Sequence, residues 1–220
     1  MKSTERVVAT PVGEGRLVTR RAARPIATLV LSHGAGGGID APDLTALATY
    51  LPRQGVSVVL FEQPWRRAGG KVAGPPPTLD VGLRAAVDAL RVRTPIILGG
   101  RSAGARSACR SARALGAAGC VALSFPLHPP GKPEKSRLDE LAGAGVPTLV
   151  IQGGNDPFGR PEEFPDPLPG GADLAVVPEA DHSLKVPKRA ALDQDEALGI
   201  VVEAVLEWVV REIVGNGMAR

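Results

Sequence analysis

Pro95-Ile-Ile-Leu-Gly-Gly-Arg-Ser-Ala-Gly-Ala105 runs an apolar, partly β-branched stretch directly into a serine framed by glycines, and then into an alanine-rich segment. Strand, sharp turn, helix is the order that this stretch predicts, with Pro95–Leu98 as the strand. Gly100 and Gly104 stand in Gly-x-Ser-x-Gly spacing around Ser102. Such a turn needs glycine because neighbours without side chains let backbone segments pass closely. It lifts the serine hydroxyl above the sheet, and the N-terminus of the following helix favours negative charge developing beside it. The pentapeptide alone also suits a merely structural β–α turn, so its setting carries the weight.

Upstream, Ile26–Ser32 reads as a buried strand ending in His33-Gly-Ala-Gly-Gly-Gly38. Pro42 to Gln54 has helical spacing through Leu44, Leu47, Ala48 and Leu51, with Asp40 as N-cap. Val56–Phe61 is the next strand, and Gln63 to Pro77 a loop rich in Gly, Pro and basic residues. Thr78 caps a helix to about Val92. At the start, Arg6–Thr10 and Arg16–Thr19 form a hairpin. Downstream come strands at Cys120–Ser124, Thr148–Gln152 and Asp173–Val177, with a short helix near Leu138–Leu141 between the first two. The apolar run Ala197 to Val214 is broken by Glu203, Glu207, Arg211 and Glu212, which makes it a core-docked helix and not a membrane span. Strands alternating with helices imply an α/β fold with a mostly parallel, doubly wound sheet. Ligands in such sheets bind at the carboxyl ends of the strands. The 220 residues suffice for one such domain and not for a large cap as well.

A serine becomes a useful nucleophile only beside a base. The chain has 3 histidines, His33, His128 and His182. His182 lies after the last predicted strand, where the chain order serine, acid, histidine places the base. The acid should follow a strand between the two, and Asp156 stands a few residues past Thr148–Gln152. Asp181 is the competitor, but a sequence neighbour seldom orients an imidazole edge-on, while Asp139 and Glu140 precede that strand. The backbone N–H of Ala35, with Gly36 as the alternative, and that of Ala103 behind the nucleophile would form the oxyanion hole. His33 is expected to brace its loop.

Composition removes other classes. A hydrophobic fraction of 44% excludes general disorder, and the net charge of +3 is small. The basic residues are scattered without interleaved aromatics, so no nucleic-acid partner is expected, nor any membrane partner. Cys109 and Cys120 lack metal-ligand spacing and read as buried reduced thiols. With no apolar signal core at the N-terminus, the expected location is cytoplasmic. No metal or cofactor is implied.

Five stretches carry a family resemblance: His33-Gly-Ala-Gly-Gly, Gly100-Arg-Ser-Ala-Gly-Ala-Arg106, Phe125-Pro-Leu-His-Pro-Pro-Gly-Lys-Pro133, Asp156-Pro-Phe-Gly159 and Asp181-His-Ser-Leu-Lys185. The chain resembles the α/β-hydrolase-like family that includes the third subunit of the NSL chromatin complex, a testis-expressed relative and many bacterial proteins. It is more distantly similar to dienelactone hydrolases. That family usually has Lys where this chain has Arg101, and an Arg-Phe-Asn-Phe-Pro-like segment where it has Leu60-Phe-Glu-Gln-Pro64. The resemblance implies the fold and the Ser102, Asp156, His182 triad, without a substrate. Arg101 and Arg106 have two readings, packing with surface pairing or recognition of a substrate carboxylate. His128, in a proline-stiffened loop, has a local hydrogen bond or a ligand contact open to it. The expected activity is hydrolysis of a small-molecule acyl ester in a lidless cleft. A non-catalytic interaction module is the alternative, and thioester cleavage or acyl transfer would use the same residues.

Overall fold

The computed structural model describes residues 3–215. Two antiparallel strands, β1 (Ser3–Thr10) and β2 (Gly13–Arg20), form the N-terminal hairpin. There follow β3 (Ala27–Ser32), α1 (Pro42–Tyr50), β4 (Val56–Glu62), α2 (Pro64–Arg67), α3 (Pro76–Asp88), β5 (Ile96–Arg101) and α4 (Ala103–Ser111). The remainder comprises β6 (Gly119–Leu123), α5 (Leu138–Ala142), β7 (Thr148–Gly153), β8 (Asp173–Val177) and α6 (Gln194–Trp208), the last continuing into a π-helical segment, Val209–Gly215. One sheet of 8 strands results, in the order β1-β2-β4-β3-β5-β6-β7-β8. Pairings from β4 across to β8 are parallel, while β2 meets β4 antiparallel.

The central strands are buried on both faces, which is why they read as continuous apolar runs. Alternation of side chains then divides the core in two. Leu29 and Leu31 of β3 face α1 and α6, packing with Leu44, Leu47, Val201, Val205 and Trp208. Val30, between them, faces the other way, with Leu98 of β5, Leu83 of α3 and Ala105, Ala108 and Cys109 of α4. Cys109 and Cys120 are free and buried, their Sγ atoms 3.8 Å apart. No helix among the described residues is long and apolar enough to cross a membrane.

Strand β3 has β4 on one side and β5 on the other. The chain therefore reverses direction across the sheet at β3, and the crevice beyond the carboxyl ends of β3 and β5 is where ligands enter folds of this kind.

Two helix starts differ from the sequence expectation. Helix α1 begins at Pro42 behind Ala41 with no side-chain cap, so Asp40 is not its N-cap. Helix α3 begins at Pro76, and Thr78 lies inside its first turn, its hydroxyl donating to the Pro75 carbonyl at 2.6 Å. In both cases proline starts the helix, since its missing N–H is one that would have no partner there anyway. The segment expected to be a long loop after β4 opens with the short helix α2.

Candidate active site

Ser102 joins β5 to α4 with φ 52° and ψ −112°. Non-glycine residues seldom hold such a conformation, and surrounding contacts must impose it. The Ser102 N–H donates to the Leu123 carbonyl of β6 at 2.9 Å. The flanking glycines are explained by what lies against them. A Cβ on Gly100 would fall 2.5 Å from the Ser32 carbonyl oxygen, and one on Gly104 would collide with the same atom. The motif thus records three backbone segments crossing at the end of β3 and β5.

His182, in the segment between β8 and α6, comes to this turn from the far end of the chain. Its Nε2 lies 2.9 Å from Ser102 Oγ and its Nδ1 2.8 Å from Asp156 Oδ2. For Nε2 to accept from the serine hydroxyl, the neutral ring must carry its proton on Nδ1 and donate it to Asp156. Asp156 is fully buried after β7. Its Oδ2 also accepts from Gln152 Nε2 at 2.9 Å, and its Oδ1 from the Phe158 N–H at 2.8 Å. The Phe158 ring stacks on the imidazole, with centroids 4.1 Å apart and planes at 29°. Asp181 turns away from this work: its Oδ1 accepts the N–H groups of Ser183 and Lys185 and shapes the turn.

Residues 25–210 match the alpha/beta hydrolase domain family. The chain belongs to the α/β-hydrolase family. A serine hydrolase without a lid from Xanthomonas campestris has a TM-score of 0.70 at 22% identity, covering 94% of this chain and 95% of that one. A dienelactone hydrolase from Anabaena variabilis has a TM-score of 0.74 at 18% identity, covering 96% and 98%. Est1E from Butyrivibrio proteoclasticus has a TM-score of 0.71 at 15% identity, covering 94% and 99%. At these identities the likeness concerns the fold. Among the described residues this α/β hydrolase likewise shows no separate cap domain, since between β6 and β7 it carries only the short helix α5.

The loop after β3 packs against the candidate site from the other side. His33 is buried, and burial lowers its pKa, which keeps it neutral. Its Nδ1–H donates to the Gly34 carbonyl at 2.9 Å while Nε2 accepts the Gln63 N–H at 3.0 Å. His33 therefore braces the loop. A Cβ on Gly34 would lie 3.3 Å from Ser102 Cβ, so Ala35 follows directly on a residue packed against Ser102. Ala103, the first residue of α4, has no intrahelical acceptor for its N–H.

Three residues read as possible substrate contacts are engaged within the fold. Arg106 forms a two-pronged pair with Glu140, Nε to Oε2 at 2.8 Å and Nη2 to Oε1 at 2.5 Å. Arg101 donates Nη2 to the His182 carbonyl and sets Nε 3.4 Å from Asp43 Oδ2. Both guanidinium groups, read as possible partners of a substrate carboxylate, are thus engaged by carboxylates of the protein itself. His128 is buried, with Nδ1 2.9 Å from the Pro129 carbonyl and Nε2 2.8 Å from Glu163 Oε2. Its bond to Pro129, and after it Glu163, raises the ring's pKa against the opposing effect of burial. Neither ring nitrogen is left for a ligand. Its own N–H donates to the Phe158 carbonyl at 3.0 Å, so the proline-rich loop braces the segment that carries Asp156.

Glu140 binds Arg110 as well as Arg106. Burial alone would raise its pKa, but the two guanidinium groups outweigh this and hold it below the ordinary carboxylate range. A depressed folded-state pKa contributes stability above the unfolded value and loses it as pH falls through the folded one. Glu140→Gln should therefore destabilise the protein by about 1–3 kcal/mol at neutral pH. The gap in melting temperature between parent and variant should close below roughly pH 4. A gap independent of pH would mean that the carboxylate charge is not what matters.

Gln152 and Phe158 escaped the sequence reading as site residues. The only signal was positional: Gln152 ends the strand before the acid, and Phe158 belongs to the Asp156-Pro-Phe-Gly159 stretch.

Proposed function

We propose that this chain is a serine hydrolase that cleaves small acyl esters through Ser102, His182 and Asp156. One observation carries the reading: a single imidazole spans the hydroxyl of a backbone-strained serine and a fully buried carboxylate, at 2.9 and 2.8 Å. In this scheme His182 Nε2 takes the Ser102 proton as Oγ attacks the acyl carbonyl. The N–H groups of Ala35 and Ala103 hold the resulting oxyanion. Collapse of the tetrahedral species breaks the ester C–O bond, and the leaving alkoxide takes the proton from His182. Water then attacks the acyl-enzyme with His182 again as base, the acyl–Oγ bond breaks as Ser102 takes the proton back from His182, and the carboxylic acid departs. Asp156 orients the ring and offsets the imidazolium charge, and Phe158 limits its tilt.

We place the chain in the branch of the family that includes the NSL third subunit on the Phe125–Pro133 and Asp181–Lys185 motifs, and in the cytoplasm on its two adjacent but unbridged thiols. Labelling by a fluorophosphonate probe, followed by rates on p-nitrophenyl esters of graded chain length, tests the proposal. Labelling with a preference for short chains is the expected result. Absence of both labelling and turnover would leave a non-catalytic module as the better reading.

A further inference from the structure

Arg101 precedes the nucleophile in the chain, yet its guanidinium is engaged on two other segments. Nη2 donates to the His182 carbonyl at 2.9 Å, and Nε lies 3.4 Å from Oδ2 of Asp43, in the first turn of α1. The Arg101 side chain is 13% exposed and that of Asp43 is 0% exposed. Neither Asp43 oxygen makes a well-aligned hydrogen bond, and nor does Arg101 Nε. Burial pushes the Asp43 carboxyl up, and the Arg101 charge is the largest influence opposing it.

A pair built like this is a poor source of stability. Desolvating two charges costs about as much as their attraction returns, and apolar residues of similar size usually serve as well or better. What the pair does provide is a fixed position for the guanidinium. That position matters because of what the guanidinium holds. The segment carrying His182 is tied down at its carbonyls: Glu179 accepts from the Asn155 side chain, Ala180 from the Asn155 N–H, Leu184 from the Gln194 side chain and His182 from Arg101. The last is on the residue that bears the imidazole.

We infer that Asp43 and Arg101 are a positioning pair for the base: Asp43 fixes the guanidinium, and the guanidinium fixes the His182 backbone so that Nε2 stays within reach of Ser102. This rests on the serine-hydrolase reading. One residue thereby couples the backbone of the nucleophile to that of the base across 81 positions of sequence. Neither Asp43 nor Arg101 touches reacting atoms, so their loss acts on turnover and not on substrate affinity.

The double variant Asp43→Leu/Arg101→Met tests this, because it removes the clamp without stranding a buried charge. Its melting temperature should equal or exceed that of the parent. For p-nitrophenyl acetate, kcat should fall by about tenfold or more while KM stays within about twofold. The downfield proton resonance of His182 Nδ1–H, assigned by its absence from His182→Ala, should broaden or vanish. Arg101→Lys, which keeps a charge but loses the planar fork, should show a smaller fall in kcat. A folded double variant with kcat within about twofold of the parent and an intact resonance would overturn the inference. Should the double variant not fold, Arg101→Lys decides the matter, and parental kcat with a parental resonance overturns it. If the parent itself resists fluorophosphonate labelling, the serine-hydrolase reading falls, and the resonance alone then shows whether the pair orders His182.

Discussion

Ser102→Ala should abolish fluorophosphonate labelling and lower kcat for p-nitrophenyl acetate by about 10⁴-fold or more, with the fold intact. The size follows from the way the site is wired. The serine hydroxyl, the imidazole and the Asp156 carboxylate form one hydrogen-bonded row, so removing the atom that attacks leaves the other two with nothing to activate. His182→Ala should lose nearly as much. Asp156→Asn should lose somewhat less, because the ring would keep its Phe158 stack and its backbone anchor. Combining Ser102→Ala with His182→Ala should add little, since members of one catalytic unit are not additive. Circular dichroism and thermal melts on each variant separate lost chemistry from lost fold. Undiminished labelling of Ser102→Ala would remove the nucleophile from the scheme.

Two glycine-to-alanine changes, both in helices, should move stability in opposite directions. Alanine ordinarily suits a helix better than glycine by about 0.5–1 kcal/mol. Gly199 lies within α6 with nothing near the place a Cβ would occupy, so Gly199→Ala should gain that amount. Gly104 is also helical, but its Cβ would collide with the Ser32 carbonyl oxygen and lie 2.8 Å from that of His33. Both are backbone atoms, one in a central strand and one just past its end, and cannot yield cheaply. Gly104→Ala should therefore cost about 3 kcal/mol or more, lowering the melting temperature by roughly 6–12 °C. Equal melting temperatures for the two variants would show that the elbow is looser than its geometry implies.

How far the sequence could be read depended on whether the deciding interaction was local. Strands such as Ala27–Ser32 and Thr148–Gly153 were legible because burial on both faces demands unbroken apolar runs, and their bounds shifted by a residue or two. Helix starts were less so: Asp40 and Thr78 carry good capping side chains, but Pro42 and Pro76 start the helices and displace them. Ser102, Asp156 and His182 could be picked out because each lies just past a strand end, and the parallel sheet delivers those ends to one edge. The charged neighbours could not. Whether Arg106 greets solvent or binds Glu140 depends on how α4 meets α5, and Asp43 gives no local hint that it faces Arg101.

The crossing of backbones beneath Ser102 also bears on ancestry. Gly100, Gly104 and the Ser32 carbonyl compete for one small volume, so the two glycines are required by the architecture whether or not any chemistry takes place above them. The serine is different. Its left-handed backbone conformation suits glycine better, and a lineage released from selection for activity would lose nothing in folding by replacing it. Glycines in this spacing therefore follow from the architecture alone, whereas a serine between them, at an energetic disadvantage, is accounted for by the proposed chemistry.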